Sequence, residues 1–587
     1  NFPRIRNLPN KIKCKDDFGE IDLVFFNSRE GYIRKILPFN EWVVVSGKVT
    51  NFKNRYQITN PDYVSNLEKS DFIQKNIPKY HLTEGISEKS YRKIIEKVLK
   101  EIPSIEEWHN KSLIKNKKFL SWRESLLNVH NDEKNDFNSK SYRRLAYDEI
   151  FSHLIMISKN RRRIRKNKKV PKKFKNKFSN KILNNFKFNL TNCQEKAIKQ
   201  INCDLKSYNR MFRIIQGDVG SGKTIVSLIA ASNVIESSFQ CALMAPTEIL
   251  ARQHFDLAKE IFKDTNIKIA FITGKTEYRE KKKIYEELNN GHIKLIIGTH
   301  SLFQKNVKFK KLGLIIVDEQ HKFGVKQRMS LAKKGGENSD VLLMSATPIP
   351  RTMMLTIYGD MDVTKIIEKP SNRKNIITLS KPEEKIDQIF PFVKKQIING
   401  NQVFWVCPLI DDSKFLNYSS VIKRFDLIEK KFPNKVGLIY GSMTKEEKED
   451  VLKKFLNKDI YILISTTVIE VGIDFPNANL IVIENANKFG LAQLHQLRGR
   501  VGRGVKQGTC ILMFKGGLSK KAIQRIKILK ETNDGFVIAE EDMRLRGYGD
   551  IIGFQQSGIK YFRIADPIHH DDLFKLAEKE VNSIDSS

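Results

Sequence analysis

A chain of 587 residues is too long for a single core, and its 40% hydrophobic content is enough to fold as about four domains. Lysine and arginine number 104 against 67 aspartates and glutamates, a formal net charge of +37, which fits a polyanionic partner or a plain lysine bias of composition. Six scattered cysteines without a C-x-x-C pair argue against a zinc ribbon or a disulfide framework and fit a reducing, cytoplasmic compartment.

No apolar run approaches the ~20 residues that span a bilayer, so no membrane partner is expected. No signal peptide is visible, and the chain opens at Asn1 rather than Met, as a fragment would. Residues 1–65 hold three β-rich runs, 20–27, 42–50 and 55–60, which suit a small antiparallel barrel of the OB type. Phe25, Phe26 and Tyr56 are candidates for stacking on bases, while ordinary core is an equal reading for the two phenylalanines. Helical text follows over 87–102 and 141–159. The run 160–177 (NRRRIRKNKKVPKKFKNK) either lies on a phosphate backbone or serves as a solvated connector.

Beyond residue 188 the pattern turns to alternating strand and helix. Apolar strands are expected at 211–216, 241–245, 267–273, 295–298, 314–317 and 341–344. A second series follows at 403–407, 436–440, 460–464, 480–483 and 510–514. Two series imply two α/β domains with chemistry at the C-terminal strand ends, joined near the polar, proline-bearing stretch 368–374.

The first series carries Gly217-Asp218-Val219-Gly220-Ser221-Gly222-Lys223-Thr224, which reads G-x-x-x-x-G-K-[ST] between a strand and a helix. Gly217, Gly220 and Gly222 let the backbone curl its N–H groups toward phosphate oxygens. Lys223 is expected on the β- and γ-phosphates, and Thr224 on Mg²⁺. Asp318-Glu319 closes a later strand, where Asp318 suits the metal and Glu319 the attacking water. In the second series, Arg500 and Arg503 of QLRGRVGR suit the role of arginine fingers, so hydrolysis would require the cleft to close.

Taken together, LTNCQ, QGDVGSGKT, APTE, GTH, DEQH, SAT, STTVIEVGID and QLRGRVGR occur in the order of superfamily-2 helicase motifs. Within that superfamily the chain resembles the RecG family of branched-DNA translocases, most strongly over 186–558. The resemblance implies two tandem RecA-like parallel-sheet domains, 186–370 and 371–518. Ahead of them it implies a partial OB-fold wedge over 1–65 and a helical, basic linker over 66–185. A translocation motif and tail would follow over 519–587. It assigns adenine reading to Gln194, the interdomain nucleotide face to Gly472 and Asp474, and DNA contact or coupling to Thr299, His300, Ser345 and Thr347. Arg544, Arg546 and Gln556 fall in a stretch that looks like the translocation motif shared with the Mfd family. The implied cofactors are ATP and Mg²⁺. The implied partners are branched double-stranded DNA (forks and Holliday junctions) and, as a candidate, single-stranded-DNA-binding protein, with the chain acting as a monomer.

Departures fall outside the ATP motifs. Arg546-Gly547-Tyr548-Gly549 replaces R-G-P-G, Gln555 stands for an arginine, the barrel lacks its first strands, and the tail after Asp566 is short. The stretch around Arg544, Arg546 and Gly547 reads as turn-rich. Rival readings are an Mfd-like translocase, whose polymerase-binding and damage-recognition domains are not visible, a PriA-type helicase, whose paired cysteines are missing, and a DNA-binding module with a vestigial nucleotide switch.

Overall fold

The computed structural model describes the chain apart from residues 1–8, 53–54, 68–77, 81, 83–84, 132–135, 167, 187–188, 305, 320–335, 337, 347, 351–360, 371–372, 409–413, 467–474, 505, 547–561 and 587. It divides into two compact units, Asn1–Glu149 with Ile564–Leu573, and Ile150–Arg563 with Phe574–Ser587. No helix among the described residues is long and apolar enough to cross a membrane.

In the first unit, six strands follow one another: β1 (Asn10–Lys15), β2 (Glu20–Phe25), β3 (Val43–Ser46), β4 (Val49–Phe52), β5 (Arg55–Thr59) and β6 (Tyr63–Asn66). They form a four-stranded sheet in the order β1-β2-β5-β4 and a separate antiparallel pair, β3-β6. The run expected as one strand over 42–50 breaks at Gly47, where a Cβ would meet the Ile58 side chain. β1 escapes a sequence reading because Lys11, Lys13 and Lys15 fill its outward face while Ile12 and Cys14 turn inward. Phe25 is core rather than a base-stacking residue: it is 5% exposed and packs with Leu23, Ile33 and Ile58. The two-residue period of a strand then turns Phe26 outward, at 47% exposure, and Tyr56 is exposed as well, at 60%.

The same unit contains a buried polar hub. Arg144 donates to Glu107 through both terminal nitrogens, at 2.9 and 2.8 Å, and to Asp148 through Nε at 3.2 Å. His109 sits 2.7 Å from Asp148. A fully buried guanidinium is tolerated because two carboxylates face it.

The second unit holds two parallel-sheet lobes. The first lobe comprises β7 (Phe212–Gly217), β8 (Gln240–Met244), β9 (Ile269–Ile272), β10 (Leu295–Gly298), β11 (Leu312–Val317), β12 (Asp340–Ser345) and β13 (Asp362–Ile366), ordered β13-β7-β12-β11-β8-β10-β9. The second comprises β14 (Ile377–Pro382), β15 (Gln402–Val406), β16 (Val436–Ile439), β17 (Ile462–Ser465), β18 (Ala478–Ile483) and β19 (Thr509–Phe514), ordered β14-β19-β18-β15-β17-β16. All pairings in both sheets are parallel. Each sheet has an apolar core on both faces: Ile215, Leu243 and Ile316 on one side of the first, Ile214, Ala242 and Ile315 on the other. That two-sided burial is why these strands read as continuous apolar runs. β13 and β14 were not foreseen. Both are edge strands with charged or half-exposed positions, and the crossover 367–376 joins them.

Two stretches differ from expectation. The basic run 160–177 neither lies free nor presents all its charge. Lys169 and Lys172 are buried against Asp340 at the start of β12, with Nζ–O distances of 2.7 and 2.9 Å and no exposure on any of the three side chains. Asp340 also accepts from Met211 N at 2.7 Å, fixing the entry to β7. The stretch expected to be turn-rich around Arg544 and Arg546 is instead the helix Gly535–Arg546, paired with the helix Lys520–Glu531; Ile526, Leu529 and Ile538 anchor both helices in the second lobe's core. Gly535, at the start of the later helix, packs so tightly that a Cβ there would meet His495 and Pro348.

Candidate active site

The phosphate loop, Thr299 and Asp318-Glu319 follow the C-terminal ends of β7, β10 and β11, where a parallel sheet opens its loops to a ligand. The phosphate loop leaves β7 through a turn closed by Ser221 N donating to Asp218 O at 3.1 Å. Gly220 and Gly222 have φ of +77° and +83°, left-handed values that a side chain would strain. The helix Lys223–Glu236 begins directly after this turn, so its N-terminal dipole points at the same spot. Lys223 is buried; its Nζ donates to Gly217 O at 2.9 Å and Asp218 O at 3.0 Å. Burial holds its pKa below the ordinary lysine value, against the pull of Glu319 and Asp318.

Gln194 sits beneath the loop. The capping box Thr191-x-x-Gln194 starts the helix Asn192–Lys206, with Thr191 N donating to Gln194 Oε1 at 2.9 Å. Its Nε2 donates to Ser221 O at 2.8 Å, so the side chain braces the loop that it flanks.

Asp318 and Glu319 follow β11. His254 Nε2, on the helix Glu248–Ile261, donates to Asp318 Oδ2 at 2.8 Å, and Glu319 N donates to Asp318 Oδ1 at 2.9 Å. Burial pushes the Asp318 carboxyl up, but His254 and Lys223 outweigh it and hold the group below the usual carboxylate range. Glu319 has φ of +48°, rare for a residue with a side chain and the kind of strain that surrounding structure must impose. Its Oε2 accepts from Ala346 N at 3.4 Å, which ties it to the loop after β12.

From the second lobe come Arg500 and Arg503, after the helix Leu491–Arg498. Both are pushed down by burial, to about 10 for Arg500 and about 9 for Arg503, with Glu319 opposing in each case. Lys223, Thr224, Asp318, Glu319, Arg500 and Arg503 all line one cavity of about 610 Å³. Cations that grip phosphate, a hydroxyl and a carboxylate that can share a hard divalent ion, and a strained second carboxylate form a donor set that fits a magnesium nucleoside triphosphate.

Sequence reasoning missed several partners. Asp218, inside the phosphate loop, meets Lys369 at 2.8 Å and accepts from His495 Nε2 at 2.7 Å, although His495 lies 277 residues away in the other lobe. Burial opposes the Asp218 charge, yet His495 and Lys369 drive its pKa far down. Arg498 Nη2 donates to His495 Nδ1 at 2.9 Å, and Arg498 Nη1 donates to Leu529 O at 2.7 Å and Thr532 O at 3.0 Å. At the opposite end of the same helix, Asp542 accepts from Leu491 N at 3.0 Å. The helix bearing the arginine motif is therefore clamped at both ends by the helical pair 520–546. No local motif announces these contacts.

Thr299 and His300 line a second cavity, of about 460 Å³, together with Thr247 of the first lobe and Ile439, Lys448 and Ser465 of the second. Lys275 and Glu449 bridge its rim at 3.0 Å. Ser345 is buried at the end of β12. Arg544 pairs with Glu541 at 2.8 Å, and Arg546 ends its helix. Thr347, Gly472, Asp474, Tyr548, Gln555 and Gln556 lie outside the described residues.

Comparison with known proteins agrees with this arrangement. The DEAD/DEAH box helicase family matches residues 191–355 and the helicase conserved C-terminal domain matches 384–505. The RecG wedge domain matches 10–102, and domain 3, C-terminal, of ATP-dependent DNA helicase RecG matches 532–585. The chain is 40% identical over 575 residues to the ATP-dependent DNA helicase RecG of Thermotoga maritima, covering 97% of this chain and 73% of that one. It is 38% identical over 572 residues to that of Bacillus subtilis, covering 97% and 83%. A solved structure of RecG bound to a three-way DNA junction is similar at 38% identity and a TM-score of 0.67, over 97% of this chain and 75% of that one.

Proposed function

The chain belongs to the RecG family of ATP-dependent DNA helicases, and from that premise we propose that it unwinds and branch-migrates forked and four-way DNA by moving along duplex. The observation that carries the proposal is the cavity of about 610 Å³ lined by both lobes. Lys223, Arg500 and Arg503 bind and neutralise the phosphates, and Glu319 orients the attacking water and takes its proton. Thr224 and Asp318 would hold Mg²⁺, which when bound neutralises developing charge on the phosphoryl oxygens. Gln194, Gly217, Gly220 and Gly222 shape the nucleotide seat, with Gly472 and Asp474 expected at its far wall. Because the phosphate loop and the arginines sit on different lobes, closure assembles the site and release reopens it.

Thr299, His300, Ser345 and Thr347 are proposed to follow the DNA strand between the lobes, and Phe26 and Tyr56 to meet bases at the branch. Arg544, Arg546 and Gln556 are proposed to convert closure into motion, and the clamp on the helix that leads into Arg500 and Arg503 supports that reading. Operation as a cytoplasmic monomer, with single-stranded-DNA-binding protein as a candidate partner, completes the proposal.

The test is ATP turnover measured side by side on duplex, single-stranded, forked and four-way DNA. Strongest stimulation by the branched substrates, with unwinding of the same molecules, is expected. Turnover indifferent to DNA would leave the vestigial-switch reading in its place.

A further inference from the structure

A third guanidinium enters the cleft from a place that no phosphate motif marks. Arg373 belongs to the crossover 367–376 between β13 and β14 rather than to the motif loops of either lobe. Its Nη1 donates to Val219 O at 2.6 Å, and its Nη2 reaches Gly499 O at 3.5 Å. It lies so close over Gly220 that a Cβ there would overlap the guanidinium. Lys369, four residues earlier on the same crossover, reaches Asp218 Oδ2 at 2.8 Å. Two cations thus pin the crossover to the phosphate loop, and one of them lines the same cavity as Lys223 and Arg503.

Carbonyl contacts alone do not explain a guanidinium in that position. Burial opposes the charge on Arg373, with Asp218 offsetting part of the cost. Arg373 in turn adds to the depression of Arg503, so the two positive groups repel across a buried space. Of the carboxylates nearby, Asp318 faces His254 and Asp218 faces His495 and Lys369, and Glu319 with Asp218 offsets only part of the depression of Arg503. Guanidiniums held against each other in low dielectric are stabilised by a multivalent anion between them.

We propose that Arg373 is a third phosphate-binding arginine, supplied by the interlobe crossover, which grips the terminal phosphate of the bound nucleoside triphosphate. This rests on reading the cleft as a nucleotide site. The segment that must flex when the lobes move then itself detects whether the terminal phosphate is present. The planar fork matters, because one end faces the phosphate loop and the other faces Gly499 of the second lobe.

The test uses the full chain and three variants, Arg373→Ala, Arg373→Lys and Lys223→Ala. Equilibrium titrations with fluorescent ADP and with a fluorescent non-hydrolysable ATP analogue are read beside the Tm of each preparation. Arg373→Ala is expected to weaken the triphosphate analogue about tenfold to a hundredfold, as for a lost charged hydrogen bond, with ADP affinity and Tm nearly unchanged. Arg373→Lys should recover only part of the loss. Equal loss of both nucleotides, wild-type discrimination in Arg373→Lys, or no change in Arg373→Ala would each overturn the inference. If Arg373→Ala fails to fold, discrimination by Arg373→Lys alone decides. Lys223→Ala separates the two claims: normal binding of both nucleotides by that variant would sink the nucleotide reading itself. Their loss there, beside a silent Arg373→Ala, would sink only the role of Arg373.

Discussion

The seven-stranded and six-stranded lobes share a parallel sheet with an apolar core on each face, yet they carry different chemistry at their strand ends. After its opening strand the first lobe has the sequence GDVGSGKT, whereas the second continues from β15 as CPLIDDSKF, without a phosphate-loop pattern. The second lobe instead brings Arg500 and Arg503 to the cavity that both lobes line. On the proposed reading, two similar scaffolds divide one reaction: the first would hold the nucleotide, and the second would complete the site only when it is close. The fold supplies positions, and the loops supply chemistry.

That division can be broken most severely from the first lobe. Lys223→Ala removes the cation proposed for the β- and γ-phosphates, and turnover should fall by about 10³-fold or more, read as phosphate release at saturating DNA. Turnover near the wild-type rate would end the assignment. The second lobe comes next. Arg503→Ala should lower kcat by roughly 10³-fold while nucleotide still binds to the first lobe, a split that equilibrium titration resolves. Glu319→Gln keeps the shape of the side chain and removes its charge. It should lower hydrolysis by about 10²-fold or more with nucleotide affinity preserved, and loss of affinity would instead point to a structural role for that strained residue. The smallest effect lies at the rim between the lobes. Lys275 and Glu449 are substantially exposed and screened by solvent, so Lys275→Ala should leave Tm nearly unchanged. A larger shift would mean that the lobes are held together more by their rim than by the cleft.

The sequence was most legible where local chemistry dictates local backbone. The glycines of the phosphate loop announce left-handed turns, and Thr191-x-x-Gln194 announces a capped helix. Buried strands were found within a few residues because two-faced burial leaves an unbroken apolar run. Edge strands such as β13, with Lys365 and Asp362 among five residues, carry no such run. Phe25 and Phe26 look alike in sequence, and only the register of β2 decides which faces the core. The partners of the cleft were the least visible. His254 meets Asp318 across 64 residues, and Arg373 meets Val219 across 154, distances over which spacing carries no signal. The helix at 535–546 was hidden by its opening glycine and its charges, and tertiary packing on the second lobe overrides them.

The ion triplet at Asp340 has a use beyond stability. The stretch 160–177 has lysine or arginine at 11 of its 18 positions, each a target for a trypsin-like protease. Lys168, Lys173 and Lys175 are exposed, whereas Lys169 and Lys172 have no accessible side-chain surface. Cleavage after those two lysines therefore requires the strap to detach from β12, and its rate reports how often that happens. Mapping cut sites by mass spectrometry, with and without nucleotide, turns a basic stretch that looks featureless into a clock for the opening of the first lobe.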